Sequence, residues 1–237
     1  MRIQMIMALA AAFAAGSAVQ AAPLETSTLS INAPGINGNE SQVVYLPFSG
    51  DLVHGSGEGP NYTWSISADA DPLINWGFTA VTPGPYHVEF FLPLVPGTYE
   101  LLRNQASVVL SDVGDGDNSS TVSALTVDGQ VPDGVSISGA LLTGGPITAL
   151  NGGFANASFG PAWALQTLIN PSGMRMILDF DFVSDDNDGS AAFAGQLVLT
   201  NLPPGGDLSD VPEPATTAMI GAGLLGIAAI KRLHRRR

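Results

Sequence analysis

The chain has 237 residues, of which 45% are hydrophobic and 12% are charged, and its formal net charge is −13. Cysteine is absent, which excludes disulfide frameworks and thiol chemistry. Residues 22–213 contain all 21 acidic residues but only two basic residues, Arg103 and Arg175, so this range carries a formal charge of −19. Such a surface repels nucleic acids and anionic lipid headgroups, and we expect no nucleic-acid partner.

The N-terminus has the pattern of a secretory signal peptide. Arg2 supplies one positive charge, residues 3–15 are almost entirely apolar, and Val19 and Ala21 are the small residues that a cleavage site requires. We predict that signal peptidase cuts between Ala21 and Ala22, which makes residues 1–21 a leader and Ala22 the first residue of the exported protein.

Residues 22–202 are predicted to form one all-β domain, a single antiparallel β-sandwich of the jelly-roll or immunoglobulin-like kind. The clearest pattern lies at residues 178–182, where leucine and phenylalanine alternate with Asp179 and Asp181. Turn residues at 83–85 and 96–97 are expected to bracket a hairpin, and residues 161–169 fit either a short helix or a strand. The predicted strands are 42–48, 62–67, 73–81, 86–92, 98–103, 107–111, 121–127, 135–142, 174–183 and 191–200.

Two acidic segments, 112–118 and 185–189, are predicted to connect hairpins. Alternating carboxylates beside glycine can bind calcium, which prefers six to eight oxygen ligands. No EF-hand is complete, because the twelfth position after each start is a threonine or a glutamine, and Asp, Asn and Gly also suit turns without any metal. We favour turns and expect no cofactor, with calcium as the alternative; its candidate ligands are Asp115, Asp117, Asp185, Asn187 and Asp188.

Residues for catalysis are few, and we expect no enzyme. His54 and His87 are the only histidines before the C-terminal segment, and residues 54–58, which contain His54 and a serine, are predicted to be a flexible glycine-rich turn. A secreted polysaccharide hydrolase remains the rival, with its carboxylates drawn from Glu58, Glu89 and Glu100.

Two tryptophans, Trp64 and Trp76, lie in alternating strands. Aromatic side chains in such strands are usually buried, so we predict that both belong to the core. Stacking on sugar rings is the alternative, because a row of aromatic rings offers a flat apolar surface.

The C-terminal segment is the most informative part of the chain. A Gly- and Pro-rich linker, 203–210, precedes Val211-Pro212-Glu213-Pro214, a charge-free stretch over 215–230 predicted to be a transmembrane helix, and a basic end. The basic residues would hold this end in the cytoplasm, with the rest of the chain exported. They are Lys231, Arg232, Arg235, Arg236 and Arg237.

This three-part segment, residues 211–237, resembles the PEP-CTERM sorting signals of Gram-negative bacteria. The resemblance implies that an exosortase-type membrane transpeptidase cuts near Glu213 and releases or relinks the exported region. It also implies an inner-membrane anchored precursor and a mature form in the periplasm, at the cell surface or in the extracellular matrix. A permanent single-pass anchor is the alternative.

Because the family is linked to exopolysaccharide production, we expect a structural or adhesive protein of an exopolysaccharide or biofilm matrix. A glycan- or calcium-binding module is the alternative.

Overall fold

The computed structural model describes residues 26–35, 38–113, 118–131, 140–185 and 188–201. They form thirteen β-strands and no helix. The strands are β1 Ser27–Gly35, β2 Gly38–Leu46, β3 Leu52–Glu58, β4 Tyr62–Asp69, β5 Leu73–Ala80, β6 Gly84–Pro93, β7 Thr98–Ser111, β8 Ser119–Gln130, β9 Leu142–Gly144, β10 Ile147–Leu150, β11 Phe154–Ile169, β12 Gly173–Ser184 and β13 Ser190–Thr200.

The strands form two antiparallel sheets. The first sheet has the order β10-β8-β12-β6-β1-β2, with β9 paired to β8, and the second has the order β11-β7-β13-β5-β4-β3. From β5 onwards the chain crosses repeatedly between the sheets, so that β5, β13, β7 and β11 stand in the same order as β6, β12, β8 and β10. This is jelly-roll connectivity. The predicted all-β sandwich is confirmed, and of the two expected topologies it is the jelly roll.

The core lies between the sheets, where period-two alternation turns apolar side chains inward. β4 buries every second residue, and β12 does the same along its central part. Trp64 and Trp76 are both core residues, as predicted. At the centre, the rings of Tyr86 and Phe180 stack 4.9 Å apart, and neighbouring rings extend the cluster to Tyr62, Phe78 and Phe193.

Several sequence predictions about individual segments were wrong. Residues 98–103 and 107–111 belong to one strand of 14 residues, β7. Residues 54–58 are not a flexible turn but most of β3, because they pair with β4 along their whole length. Strand β1 was not predicted, although Leu29, Ile31 and Ala33 alternate with polar residues and are buried. The ambiguous residues 161–169 are the second half of β11.

The predicted hairpins were also wrong. Residues 84–85 are the first two residues of a single strand, β6, and residues 96–97 follow that strand. β6 pairs with β1 and β12 rather than with its neighbours in sequence. The acidic segments 112–118 and 185–189 connect strands of different sheets, β7 to β8 and β12 to β13. A jelly roll joins strands across the core, so its connections are crossovers.

Most of the predicted strand 135–142 lies outside the described residues, as do the leader, the linker and the C-terminal segment. Among the described residues, no helix is long and apolar enough to cross a bilayer.

Candidate functional site

The outward face of the first sheet carries a concentration of charged side chains at its centre. Alternation along β12 turns Asp179 and Asp181 outward, and alternation along β6 does the same for His87 and Glu89. The strand register places Asp179 beside His87, and His87 beside Asn32 of β1. Three strands that are far apart in sequence therefore contribute to one polar row.

Close polar contacts orient these side chains. His87 Nδ1 lies 2.6 Å from Asp179 Oδ1, and its Nε2 lies 3.9 Å from Glu89 Oε2. On the other side of Glu89, its Oε1 lies 2.9 Å from Arg175 Nε. All four side chains are one third to one half exposed, so these pairs add at most about 1 kcal/mol each to stability and chiefly fix orientation.

A shallow groove of about 290 Å³ opens beside this row. Buried Tyr86 and Phe180 form its floor, and polar side chains form its rim. The residues that line it are Asn32, Asn39, Pro85, Tyr86, His87, Ala124, Asp179, Phe180 and Asp181.

A β-bulge in β8 shapes the groove. The register between β8 and β12 shifts between Asp179 and Asp181, where three steps along β8 face two along β12. Ala124 sits in this bulge with φ of 50°, in the left-handed region that residues with a Cβ enter at a cost of roughly 1 kcal/mol. Bulges re-aim side chains and frequently lie beside functional sites.

The rim is suited to binding hydroxyl groups. Carboxylates accept hydrogen bonds, and asparagine amides both donate and accept them. Asp179 and Asp181 lie two positions apart on the outward face of one strand. Together with the asparagine side chains they can exchange hydrogen bonds with a hydroxyl-rich ligand.

The three glutamates considered for hydrolysis do not meet. Glu89 faces outward from the first sheet, while Glu58 and Glu100 belong to β3 and β7 of the second. Those two strands are separated by β13, β5 and β4. No shared cleft can therefore be built from these carboxylates.

The acidic crossovers meet at one end of the sandwich. Asp112 is 1% exposed, and its carboxylate accepts hydrogen bonds from Ser120 Oγ at 3.2 Å and from the backbone N–H of Gly152 at 3.0 Å. Asp185 Oδ2 accepts from the N–H and the hydroxyl of Ser119, at 3.0 and 2.8 Å. These carboxylates link the β7–β8, β10–β11 and β12–β13 crossovers through hydrogen bonds. The sequence analysis, which treated each acidic segment separately, did not predict this role.

The calcium alternative stays a prediction. Asp185 and Asp188 are described, whereas Asp115, Asp117 and Asn187 lie outside the described residues. Within the described part of the chain, no three histidine, aspartate or glutamate side chains are grouped as a metal ion would need.

The predicted processing residues also lie outside the described part of the chain, as do the basic residues after 230. They are Ala21, Ala22, Val211, Pro212, Glu213 and Pro214.

Comparison with known proteins identifies the C-terminal segment. The family model described as the PEP-CTERM protein-sorting motif matches residues 210–236. The predicted resemblance is confirmed, and it is confined to this segment. The motif indicates an exported protein that an exosortase-type system sorts.

No curated protein matches the chain. Among solved structures, TmCBM61 in complex with β-1,4-galactotriose is 9% identical, covers 57% of this chain and 88% of its own, and has a TM-score of 0.22. A structure described as showing the promiscuous specificity of carbohydrate-binding modules of the β-sandwich superfamily is 11% identical, covers 72% of each chain and has a TM-score of 0.18. Similarities at these TM-scores carry no argument about this chain.

Proposed function

We propose that the protein is a structural or adhesive component of the exopolysaccharide or biofilm matrix of a Gram-negative bacterium. The observation that carries the proposal is the sorting motif at residues 210–236, which follows a sandwich with a closed core of its own. In this proposal a signal peptide starts export, residues 215–230 hold the precursor in the inner membrane, and cleavage near Glu213 delivers the sandwich outward.

The sandwich suits such a location. Its stability comes from packing between two sheets and needs no disulfide, since the chain has no cysteine. The charge of −19 over residues 22–213 keeps the domain away from anionic surfaces.

The test follows the full chain in a host with and without its exosortase-type enzyme. We expect the protein in the matrix fraction of the complete host and a membrane-retained precursor in the deficient one. Glu213→Gln should also give the precursor, because it removes the only charge of the motif at residues 211–214. Glu58→Gln, at an exposed position of β3, should be processed normally. Equal release of the Glu213 variant would show that this carboxylate is not read.

A second proposal is that the groove on the first sheet binds a neutral glycan. Asn32, Asn39, Asp179 and Asp181 supply acceptors and amide donors for sugar hydroxyls around its rim. A uronic acid polymer would meet the carboxylates and the domain's negative charge, so neutral chains are favoured.

Titration of the exported protein with a neutral and a uronic acid polysaccharide tests this. We expect saturable binding of the neutral polymer only, weakened at least tenfold by Asn32→Ala/Asp181→Ala. Asp51→Ala, on an exposed turn away from the groove, is the control. Binding that the groove variant leaves intact would contradict the site. Release of reducing ends in the same mixtures would instead support the hydrolase.

A further inference from the structure

Strand β11 is the long edge of the second sheet. It spans Phe154–Ile169, 16 residues, and among the described strands it pairs only with β7. The N–H and C=O groups along its other side therefore have no strand partner in the described part of the chain. Such an edge is a template for pairing with another strand.

The other edges carry the protection that natural sheets use. β10 is only 4 residues long, β3 has 7 residues and ends in Glu58, and β2 contains Glu40. β11 is the longest strand and has no charged residue at any of its 16 positions. Pro161, which has no N–H, and register shifts between Phe159 and Ala162 and between Leu165 and Leu168 interrupt it, so the stretches that could pair without interruption are 154–159 and 162–165.

The same strand exposes large apolar side chains. Phe154, Leu165 and Ile169 are 61%, 60% and 74% exposed. Between them, Trp163 stacks against the guanidinium of Arg103, whose Cζ lies 5.0 Å from the ring centroid. The edge thus combines unpaired backbone with exposed apolar side chains near both ends of the strand, which a partner strand would cover.

Charge indicates which partner. Two copies of a domain with a charge of −19 repel each other wherever their acidic surfaces meet. An antiparallel pair of β11 strands brings the same charge-free surface together from both sides, so no like charges stand opposite each other across it.

We propose that a second copy of this chain is the partner, and that the two copies pair β11 with β11 across a twofold axis. The second sheets of the two copies then form one continuous sheet. The remaining faces, including the groove, stay accessible on both copies.

The absence of cysteine allows a direct test in the full chain, exported in its host. Single cysteines are introduced in turn at exposed positions of β11, Asn156, Ser158, Gln166 and Thr167, and on two other edges, Ser41 of β2 and Ser56 of β3. A disulfide requires Cα atoms within about 7 Å, so in an antiparallel pair only positions near the twofold axis crosslink to their own counterparts. Dimers are read on non-reducing gels.

We expect strong crosslinking at one β11 position, a decline on both sides of it, and almost none at Ser41 and Ser56. Adding Leu165→Lys to the best cysteine variant should reduce the dimer at least tenfold, because it places two positive charges, one from each copy, at an edge that otherwise has no charge. Thr167→Glu, at an exposed polar position, should do the same without disturbing the core.

Three results would overturn the proposal. They are absence of dimers at all β11 positions, equal crosslinking at Ser41 or Ser56, and dimers that survive both charge substitutions in variants exported at normal levels. Equal crosslinking along all of β11 would exclude the antiparallel arrangement.

Discussion

Tyr86 lies at the floor of the groove. Because of this residue, we expect the free energy of unfolding of the sandwich to fall at alkaline pH. The side chain is 2% exposed, and its hydroxyl donates to the carbonyl oxygens of Thr82 at 2.7 Å and Asn61 at 3.3 Å. Burial raises the pKa of Tyr86 from 10.0 to about 12. Burial also raises the pKa of Tyr62 and of Tyr99.

The direction of this pH dependence follows from proton binding in the folded and in the unfolded chain. Below pH 10 the tyrosine keeps its proton whether the chain is folded or unfolded, so its contribution to stability is complete and constant. Above pH 10 the unfolded chain loses the proton first, and the free energy of unfolding falls as pH rises toward 12. With the pKa raised from 10.0 to about 12, the free energy of unfolding is lower by about 1.4 kcal/mol at pH 11, and this loss approaches about 2.7 kcal/mol above pH 12.

Few other groups titrate in this range. The sequence has four tyrosines and a single lysine, Lys231, which lies beyond the sandwich. We therefore expect urea unfolding of the exported protein, followed by tryptophan fluorescence, to show a stability that is flat from pH 8 to about 10 and then declines.

Tyr86→Phe removes the titrating group from the centre of this effect. At pH 8 the variant should be about 1 kcal/mol less stable, because the carbonyl oxygen of Thr82 loses its hydroxyl donor, whereas that of Asn61 keeps the N–H of Val81. The difference should shrink between pH 10 and 12, since only the natural protein loses stability through this residue. Tyr45→Phe, at a position 69% exposed, is the control. An alkaline decline as steep in the Tyr86 variant as in the natural protein would refute the reasoning.

Three further predictions concern the bulge, the acidic crossovers and the ends of the chain. Ala124→Gly should raise the free energy of unfolding by about 0.5–1 kcal/mol, because glycine adopts a positive φ without a Cβ clash. Ala157→Gly, at a regular position of β11, should lower it. A loss of stability in the Ala124 variant would show that the backbone at this position is not strained. The calcium alternative predicts that calcium stabilises the folded protein by about 2.7 kcal/mol at a hundredfold excess over Kd, and therefore raises its melting temperature more than magnesium does at matched ionic strength. Asp185→Asn/Asp188→Asn should abolish this difference, and equal shifts with both ions would leave these residues as part of an ordinary crossover. The intact mass of the exported protein should match a chain that begins at Ala22 and lacks residues 235–237. Retention of the basic end would favour a permanent anchor.

The sequence alone was sufficient wherever the determining pattern is local. Alternation at residues 178–182 predicted which side chains of β12 enter the core, because successive residues of a strand point to opposite faces. It also predicted the burial of Trp64 and Trp76. The sorting motif was readable because it depends on a short contiguous stretch and not on folding.

Tertiary structure decided everything that depends on which strands become neighbours. His87 and Asp179 are 92 positions apart in sequence, and only the pairing of β6 with β12 brings them to 2.6 Å. From the sequence, the two acidic segments were predicted to be separate hairpin turns. In the jelly roll they are crossovers at one end of the sandwich, where Asp112 and Asp185 accept hydrogen bonds from neighbouring segments. β3 looked like a glycine-rich turn because glycine favours turns locally. It is a strand because Trp64 lies over Gly55 and Gly57, where a Cβ would collide with the indole ring. Such pairings follow from packing the whole core, which no local sequence window contains.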